Sequence, residues 1–270
     1  MDLTNDNIIH KKEGDIEYIE FKRLLEYQDK VRAIYTLKGP NDLNYNRGNE
    51  ENYKNICELT GMKYDNLVEI AKQVHSEFID RVDDTIDIHT LIDGLVTDKK
   101  DIPIVTRSAD CTSIFMYDPL KNVIANIHSG WRGTLKRISY LAVQRLEEEY
   151  NVNPQDLICC LCPNIGADHF EVDFEVKNMF IEEFKDTDRL DDIVKLGREE
   201  VLAVDDIYVR KNQKYLINTN LINRTLLQYA GVRNENIIES GICTMCNKED
   251  LHSYRVEKND MRNAAIISLI

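Results

Sequence analysis

Several runs of this chain are too uniformly apolar to lie on a surface. They are IPIV (102–105), SIFMY (113–117), VIANI (123–127), LICCLC (157–162) and AAIISLI (264–270). A strand wetted on one face alternates apolar and polar residues, whereas these stretches do not, and each is short for a helix. They read as strands covered on both faces, which requires further layers above and below the sheet. IPIVTRSADCTSIFMYD and NVIANIH form a pair of such strands joined by a turn at Asp118-Pro119. Near the N-terminus, IEYIEF and VRAIYTL alternate and suit antiparallel strands.

The covering layers come from segments with helical spacing. In TLKRISYLAVQRLEEEYN, Leu135, Ile138, Leu141, Ala142 and Leu146 recur on one face. GNEENYKNICELTG has helical character with a glycine stop, FEVKNMFIEEF reads as a helix, and LINTNLINRTLLQYAG ends at Gly231. NIIESGIC reads as a strand, while NLVEIAKQVHSEFIDRVDD fits helical and strand periods equally. Strands and helices are interspersed without strict βαβ alternation. The fold class expected is α+β (mixed α/β), a mixed sheet with helices covering its faces. No repeat or Pro/Gly/Ser-rich linker divides the 270 residues, so a single domain spanning 1–270 is expected.

A formal net charge of −14 argues against nucleic acid or an anionic membrane as partner, because both demand a basic face. No apolar run approaches the length of a membrane span. The seven cysteines are odd in number and sit mostly in apolar runs, and the polar start MDLTNDNIIHKKEGD lacks a secretory core. A reducing, cytoplasmic compartment is expected. Oligomeric state leaves no mark in the sequence.

The segment from Ile92 to Gly133 concentrates the reactive chemistry. Cys111 follows one apolar run, His128 ends the next, and a Gly-Trp-Arg-Gly turn follows it; His75 lies upstream in KQVHSEF. The spacing is unlike a structural zinc finger, but catalytic zinc sites draw ligands from distant elements. One thiol and two imidazoles suit either a metal or a nucleophile–base pair; the bland alternative is a buried thiol with two surface histidines. Asp110 precedes the cysteine and suits either orienting a ligand and handling a proton, or capping a turn.

These residues fall within a larger pattern. QVH stands at 73–75, DGLVT at 93–97, SADC at 108–111, HSGWRG at 128–133, CPNIGADHFEV at 162–172 and SYRVEKNDMR at 253–262. Together they resemble the hallmarks of the laccase-domain family, also called multicopper polyphenol oxidoreductase-like proteins and associated with purine nucleoside phosphorylase activity. The resemblance runs from about Thr36 to the C-terminus. It implies that His75, Cys111 and His128 bind zinc, in a single domain of mixed β-sheets packed together with helices outside, a fold like that of the cytotoxic necrotizing factor catalytic domain. It also implies phosphorolysis of adenosine, inosine, guanosine and methylthioadenosine, and deamination of adenosine. The older label implies copper and phenol oxidation, which fits poorly because three ligands cannot build a multicopper cluster.

Partners are then nucleosides and phosphate. Arg132 and Arg255 are candidate phosphate ligands; Arg262 and Asn44 match family positions and join them as substrate-binding candidates. The chain departs from the pattern at Asn164, where the family has cysteine, and at Val256. It departs again at Asn52-Tyr53, where the family has an Asn-Arg pair, and this last change predicts weaker phosphate binding. A competing reading makes Cys111 the nucleophile and His128 the base of an amide hydrolase acting, for instance, on a cell-wall precursor. A third is a binding protein without turnover. CTMC (243–246) is read as packing, the Cys159, Cys160 and Cys162 cluster as buried thiols, and His169 and His252 as either pocket or surface residues.

Overall fold

The computed structural model describes residues 1–205 and 208–270, with side chains between 200 and 212 left aside. Its centre is two six-stranded sheets. Numbered in chain order, the first runs β1 (Ile8–Glu13), β2 (Ile16–Phe21), β3 (Val31–Thr36), β15 (Asn263–Leu269), β7 (Ile104–Ser108) and β4 (Val68–Glu69). The second runs β14 (Ile237–Glu239), β10 (Ile158–Leu161), β8 (Thr112–Asp118), β9 (Val123–Ser129), β6 (Gly94–Thr97) and β5 (Ile79–Arg81). Both are mixed: most pairs are antiparallel, but β4–β7, β5–β6 and β10–β14 are parallel.

The apolar runs are explained by this stacking. Phe115 and Tyr117 of β8, Ile124 of β9 and Cys160 of β10 meet Phe21, Tyr35, Ile104, Ala265 and Ile267 of the other sheet in one shared core. The alternate residues face outward but stay buried. Ile114, Met116, Ala125, Ile127 and Cys159 pack against Ile138, Ala142, Val143 and Leu146 of α4 (Ile138–Tyr150) and Leu227 of α7 (Thr219–Tyr229). On the far side, Ile34, Val105 and Ile266 lie under Tyr53, Ile56 and Cys57 of α2 (Glu50–Thr60). The result is four layers, helix–sheet–sheet–helix, in agreement with the mixed-sheet expectation.

One polar residue bridges the central layer. Asn126 is fully buried; its amide donates to the Ile104 and Ala265 carbonyls, and its oxygen accepts from Thr106 Oγ1 at 2.7 Å. With every group matched it ties the two sheets in register rather than weakening them.

A smaller sheet, β11 (Glu171–Val172), β13 (Tyr208–Ile217) and β12 (Val194–Asp205), sits with α5 (Phe174–Phe184), α6 (Leu190–Ile193) and α7 around its own cluster of Phe180, Phe184, Ile193, Ile222 and Leu226. The remaining helices are short: α1 (Lys22–Leu25), α3 (Trp131–Leu135) and α8 (Tyr254–Glu257). No helix among the described residues is long and apolar enough to cross a membrane.

Local physics accounts for the boundaries. Gly61 ends α2 in the left-handed conformation (φ 73°), its N–H on the Cys57 and Glu58 carbonyls. Asp118 Oδ1 accepts from the N–H of Leu120 and Lys121, so the expected Asp-Pro turn forms. The single helix expected from Thr134 is two helices, because Arg137 takes φ 61° between α3 and α4. The ambiguous segment 66–84 is neither helix nor a long strand. Only β4 and β5 form in it, and the intervening backbone is organised by a distant carboxylate described below.

Candidate metal centre and its cavity

Three elements deliver the candidate ligands. Cys111 stands between β7 and β8, and His128 lies in β9 opposite Ser113. His75 comes from the irregular segment before β5, with φ 59°. Cys111 Sγ is 3.8 Å from His75 Nε2, the two imidazole centroids are 5.1 Å apart, and the ligand atoms of all three residues lie within 4.8 Å of one another. Tetrahedral zinc, with bonds of about 2.0 Å to nitrogen and 2.3 Å to sulfur, holds such atoms roughly 3.5 Å apart. The soft donor set and its spacing therefore fit zinc with small side-chain adjustments.

Gly130 completes the convergence. A Cβ there would collide with the His75 ring and stand 3.1 Å from Cys111 Sγ, so only glycine lets the three side chains meet beneath the turn.

Asp93 organises this floor, and sequence reasoning did not assign it a role. It is 0% exposed. Oδ1 accepts from His128 Nδ1 at 2.8 Å and from His75 N–H at 3.0 Å; Oδ2 accepts from the N–H groups of Val74 and Ser76 and from Ser76 Oγ. Binding Nδ1–H leaves His128 Nε2 as the side facing Cys111, the arrangement in which an imidazole serves as ligand or base. The available signal was Asp93's place in the DGLVT motif.

Burial alone would push the Cys111 thiol up, yet the neighbouring His128 cation and the two imidazole hydrogen bonds bring it down to about 6. Burial likewise disfavours the His128 cation, but the Cys111 thiolate and the Asp93 carboxylate hold it up to about 9. Each group's charged form thus favours the other's, which draws the thiol down and the imidazole up.

Above this floor opens a cavity of about 810 Å³. His75, Cys111, Asp110 and His128 lie at its base, Trp131, Phe170 and Tyr254 provide aromatic surface, and six cations line it: Arg47, Lys72, Arg107, Arg255, Lys258 and Arg262. In a protein carrying −14, such a concentration of positive charge is a local construction suited to an anionic ligand.

Two candidates are placed differently from expectation. Arg132 does not line the cavity; it is exposed, and its guanidinium lies over the Trp131 ring, 4.0 Å from the centroid. Asn44 is also outside the lining, where its oxygen accepts from Arg262 N–H at 2.9 Å and from Asn46 N–H. Arg255 and Arg262 do face the cavity. Asp110 reaches it too, but its carboxylate is taken up by Thr244 Oγ1 and Arg255 N–H, both at 2.6 Å, as in a turn-capping role. Arg47 and Arg107, which sequence reasoning missed, also line it.

His252 is buried away from the cavity on Leu43 O and Glu257, and Cys159, Cys160 and Cys162 are fully buried thiols, as expected.

The family model described as multi-copper polyphenol oxidoreductase laccase matches residues 45–270. The chain belongs to this family. A purine nucleoside phosphorylase of Clostridium acetobutylicum is 27% identical over 244 residues, covering 89% of this chain and 93% of the relative. An adenosine deaminase from an unknown prokaryotic organism is 30% identical over 206 residues, 72% of this chain and 71% of the relative. The fold is shared with YlmD from Geobacillus stearothermophilus at TM-score 0.79 and 22% identity, over 97% of this chain and 99% of that one. Purine nucleoside processing is thus the family-level function.

Proposed function

We propose that this chain is a zinc-dependent purine nucleoside enzyme. It cleaves adenosine, inosine, guanosine and methylthioadenosine with phosphate and deaminates adenosine. The observation that carries the reading is the convergence of His75, Cys111 and His128 at the base of a cavity whose walls are cationic and aromatic. The relatives named as phosphorylases and a deaminase support the substrate class. The whole chain, 1–270, acts as one laccase-like domain of the cytotoxic necrotizing factor catalytic-domain type, supported by the core its two large sheets share. Seven unpaired cysteines support a reducing cytoplasm as its compartment.

Held by His75, Cys111 and His128, zinc supplies Lewis acidity at the cavity floor. The chain's own groups do the rest. Arg255 and Arg262 bind phosphate and orient it toward the sugar carbon, aided by Lys258. The purine stacks against Trp131, Phe170 or Tyr254, whose faces exclude water from the bond being broken. Positive charge growing on the sugar is stabilised by the phosphate, while the departing base needs a proton or an electrophile at its ring nitrogen. Asp110 holds the Arg255 backbone and so positions a phosphate ligand. Asn44 does the same for Arg262.

A second reading keeps the same residues. Asp93, His128 and Cys111 also form an orienter–base–nucleophile chain, and the lowered thiol favours an amide hydrolase. His75 separates the two. A Cys–His hydrolase does not need it, whereas the metal does. Zinc content and conversion of adenosine with phosphate to adenine, inosine or hypoxanthine are measured for wild type and for His75→Ala, Cys111→Ala and His128→Ala. Loss of one zinc equivalent and of turnover together in all three is the expected result. A zinc count equal to wild type in all three refutes the shared site, and amide hydrolysis surviving in His75→Ala establishes the hydrolase instead.

A further inference from the structure

A second group of soft ligands lies outside the cavity. The CTMC turn places Cys243 Sγ and Cys246 Sγ each 3.8 Å from His169 Nδ1, and the ligand atoms of the three residues lie within 4.8 Å of one another. None of the three lines the cavity. Both thiols are unpaired. A lone CxxC is a weak sequence signal, but a CxxC with an imidazole on the same spot is three-quarters of a tetrahedral zinc site.

The frame around these side chains is built before any ion arrives. Asn247 N–H and its side-chain amide both donate to Cys243 O, closing the turn that carries both sulfurs. Thr244 N–H donates to Asn164 O, and Asn164 N–H to Ile242 O, which binds this turn to the 164–170 loop. His169 N–H is fixed on Gly166 O at 3.0 Å. Gly166 N–H donates to Cys243 Sγ at 3.2 Å, which holds that sulfur in place beside the 164–170 loop. Cys246 is exposed, which gives an ion an entry path and leaves solvent to complete the fourth position.

We propose that His169, Cys243 and Cys246 bind a second zinc ion that clips the 164–170 and 243–247 segments together. Binding forms two zinc–sulfur bonds and one zinc–nitrogen bond, and the two thiol protons go to solvent. Thiolate and imidazole donors select a soft divalent ion over magnesium or calcium. The clip has a direct consequence for the cavity. Ile165 N–H donates to Asp110 O at 2.9 Å, and Thr244 Oγ1 donates to the Asp110 carboxylate at 2.6 Å, so each clipped segment grips the residue before Cys111. The inference stands on this cluster alone and does not require the cavity chemistry proposed above.

The test is zinc stoichiometry of the full chain, purified in reducing buffer, for wild type, Cys246→Ser, His169→Gln and Cys111→Ser. Wild type should hold two zinc ions. Cys246→Ser and His169→Gln should each hold one, and Cys111→Ser should keep the ion that Cys246→Ser loses. Cobalt loaded into Cys111→Ser should give thiolate charge-transfer absorption that disappears when Cys246→Ser is added. If wild type holds one zinc that Cys246→Ser abolishes, the second site stands and the cavity metal falls. An unchanged zinc count in Cys246→Ser overturns the proposal. So does a wild-type mass two hydrogens short with Cys243 and Cys246 recovered as a linked peptide.

Discussion

Replacing Asp93 by Asn tests how the metal floor is built. The carboxylate accepts from five donors: Val74 N–H, Ser76 N–H and Ser76 Oγ on one oxygen, and His75 N–H and His128 Nδ1 on the other. An amide turns one oxygen into a donor. The less damaging orientation puts the NH2 toward His75 N–H and His128, sparing the oxygen with three partners. His75 N–H is then orphaned, which costs about 1–3 kcal/mol, and the charge-assisted bond to His128 is lost for roughly 1.5–3 kcal/mol more. Some relaxation brings the sum to about 3–5 kcal/mol, or a Tm lower by about 10 °C at the ~2–4 °C per kcal/mol typical of large domains.

A second effect is specific to the site. Facing an NH2, His128 Nδ1 must accept, so the ring proton moves to Nε2 and removes the lone pair that faces Cys111. Metal affinity should therefore fall by tenfold to a hundredfold, on the order found when groups that orient ligands are changed. Thermal melts with and without chelator give the first quantity, and competition against a coloured chelator gives the second. A variant melting within about 2 °C of wild type, with unchanged zinc affinity, would refute this account of Asp93.

Gly130→Ala should weaken zinc by a similar order, about tenfold or more, because the new methyl displaces the His75 ring. The metal-free melting temperature should move little; competition titration beside a melt checks both. Glu257 supplies the pH-dependent case. Burial would raise its carboxyl, but contact with Lys38, reinforced by His252, holds it below the usual carboxylate range. A lowered folded pKa gives stability that is present above the ordinary value of about 4.3 and lost as pH falls through the folded value. Glu257→Gln should thus lower Tm at pH 7, and the gap to wild type should close below about pH 4. A gap constant across that range would exclude the ion pair as its source.

The layered fold was legible because its strands are buried on both faces. β8 sends Phe115 and Tyr117 into the inter-sheet core and Ile114 and Met116 under α4, so no polar alternation interrupts the run. Segment 66–84 was illegible for the opposite reason. Its conformation is set by Asp93, which gathers the N–H groups of residues 74–76 across many intervening positions, and no local period records that. The same holds for the site. Spacing alone could not bring His75 to Cys111 and His128; the QVH, SADC and HSGWRG pattern did. His169 lies inside CPNIGADHFEV, but that motif does not link it to CTMC, and its meeting with Cys243 and Cys246 appears only when two loops are laid together.

The lost family arginine at Tyr53 was expected to weaken phosphate binding, and the structure changes the weight of that argument. Tyr53 is buried, its hydroxyl donates to Tyr45 O, and its ring packs edge-on against Tyr45, so it turns toward the α2 layer rather than into the cavity. The positive wall is occupied by other residues. Arg107 enters from β7, held by Glu69 and the Ile70 carbonyl, and Arg47 approaches from before α2, paired with the same Glu69. One carboxylate shared between two guanidinium groups leaves a net positive charge there, in addition to Arg255 and Arg262. A charge lost from one position is therefore compensated in the field of the cavity, which several other cations line. An arginine bound to its own glutamate presents fewer free N–H groups than one held in reserve for the ligand, so affinity for phosphate should depend on Glu69 as much as on any arginine.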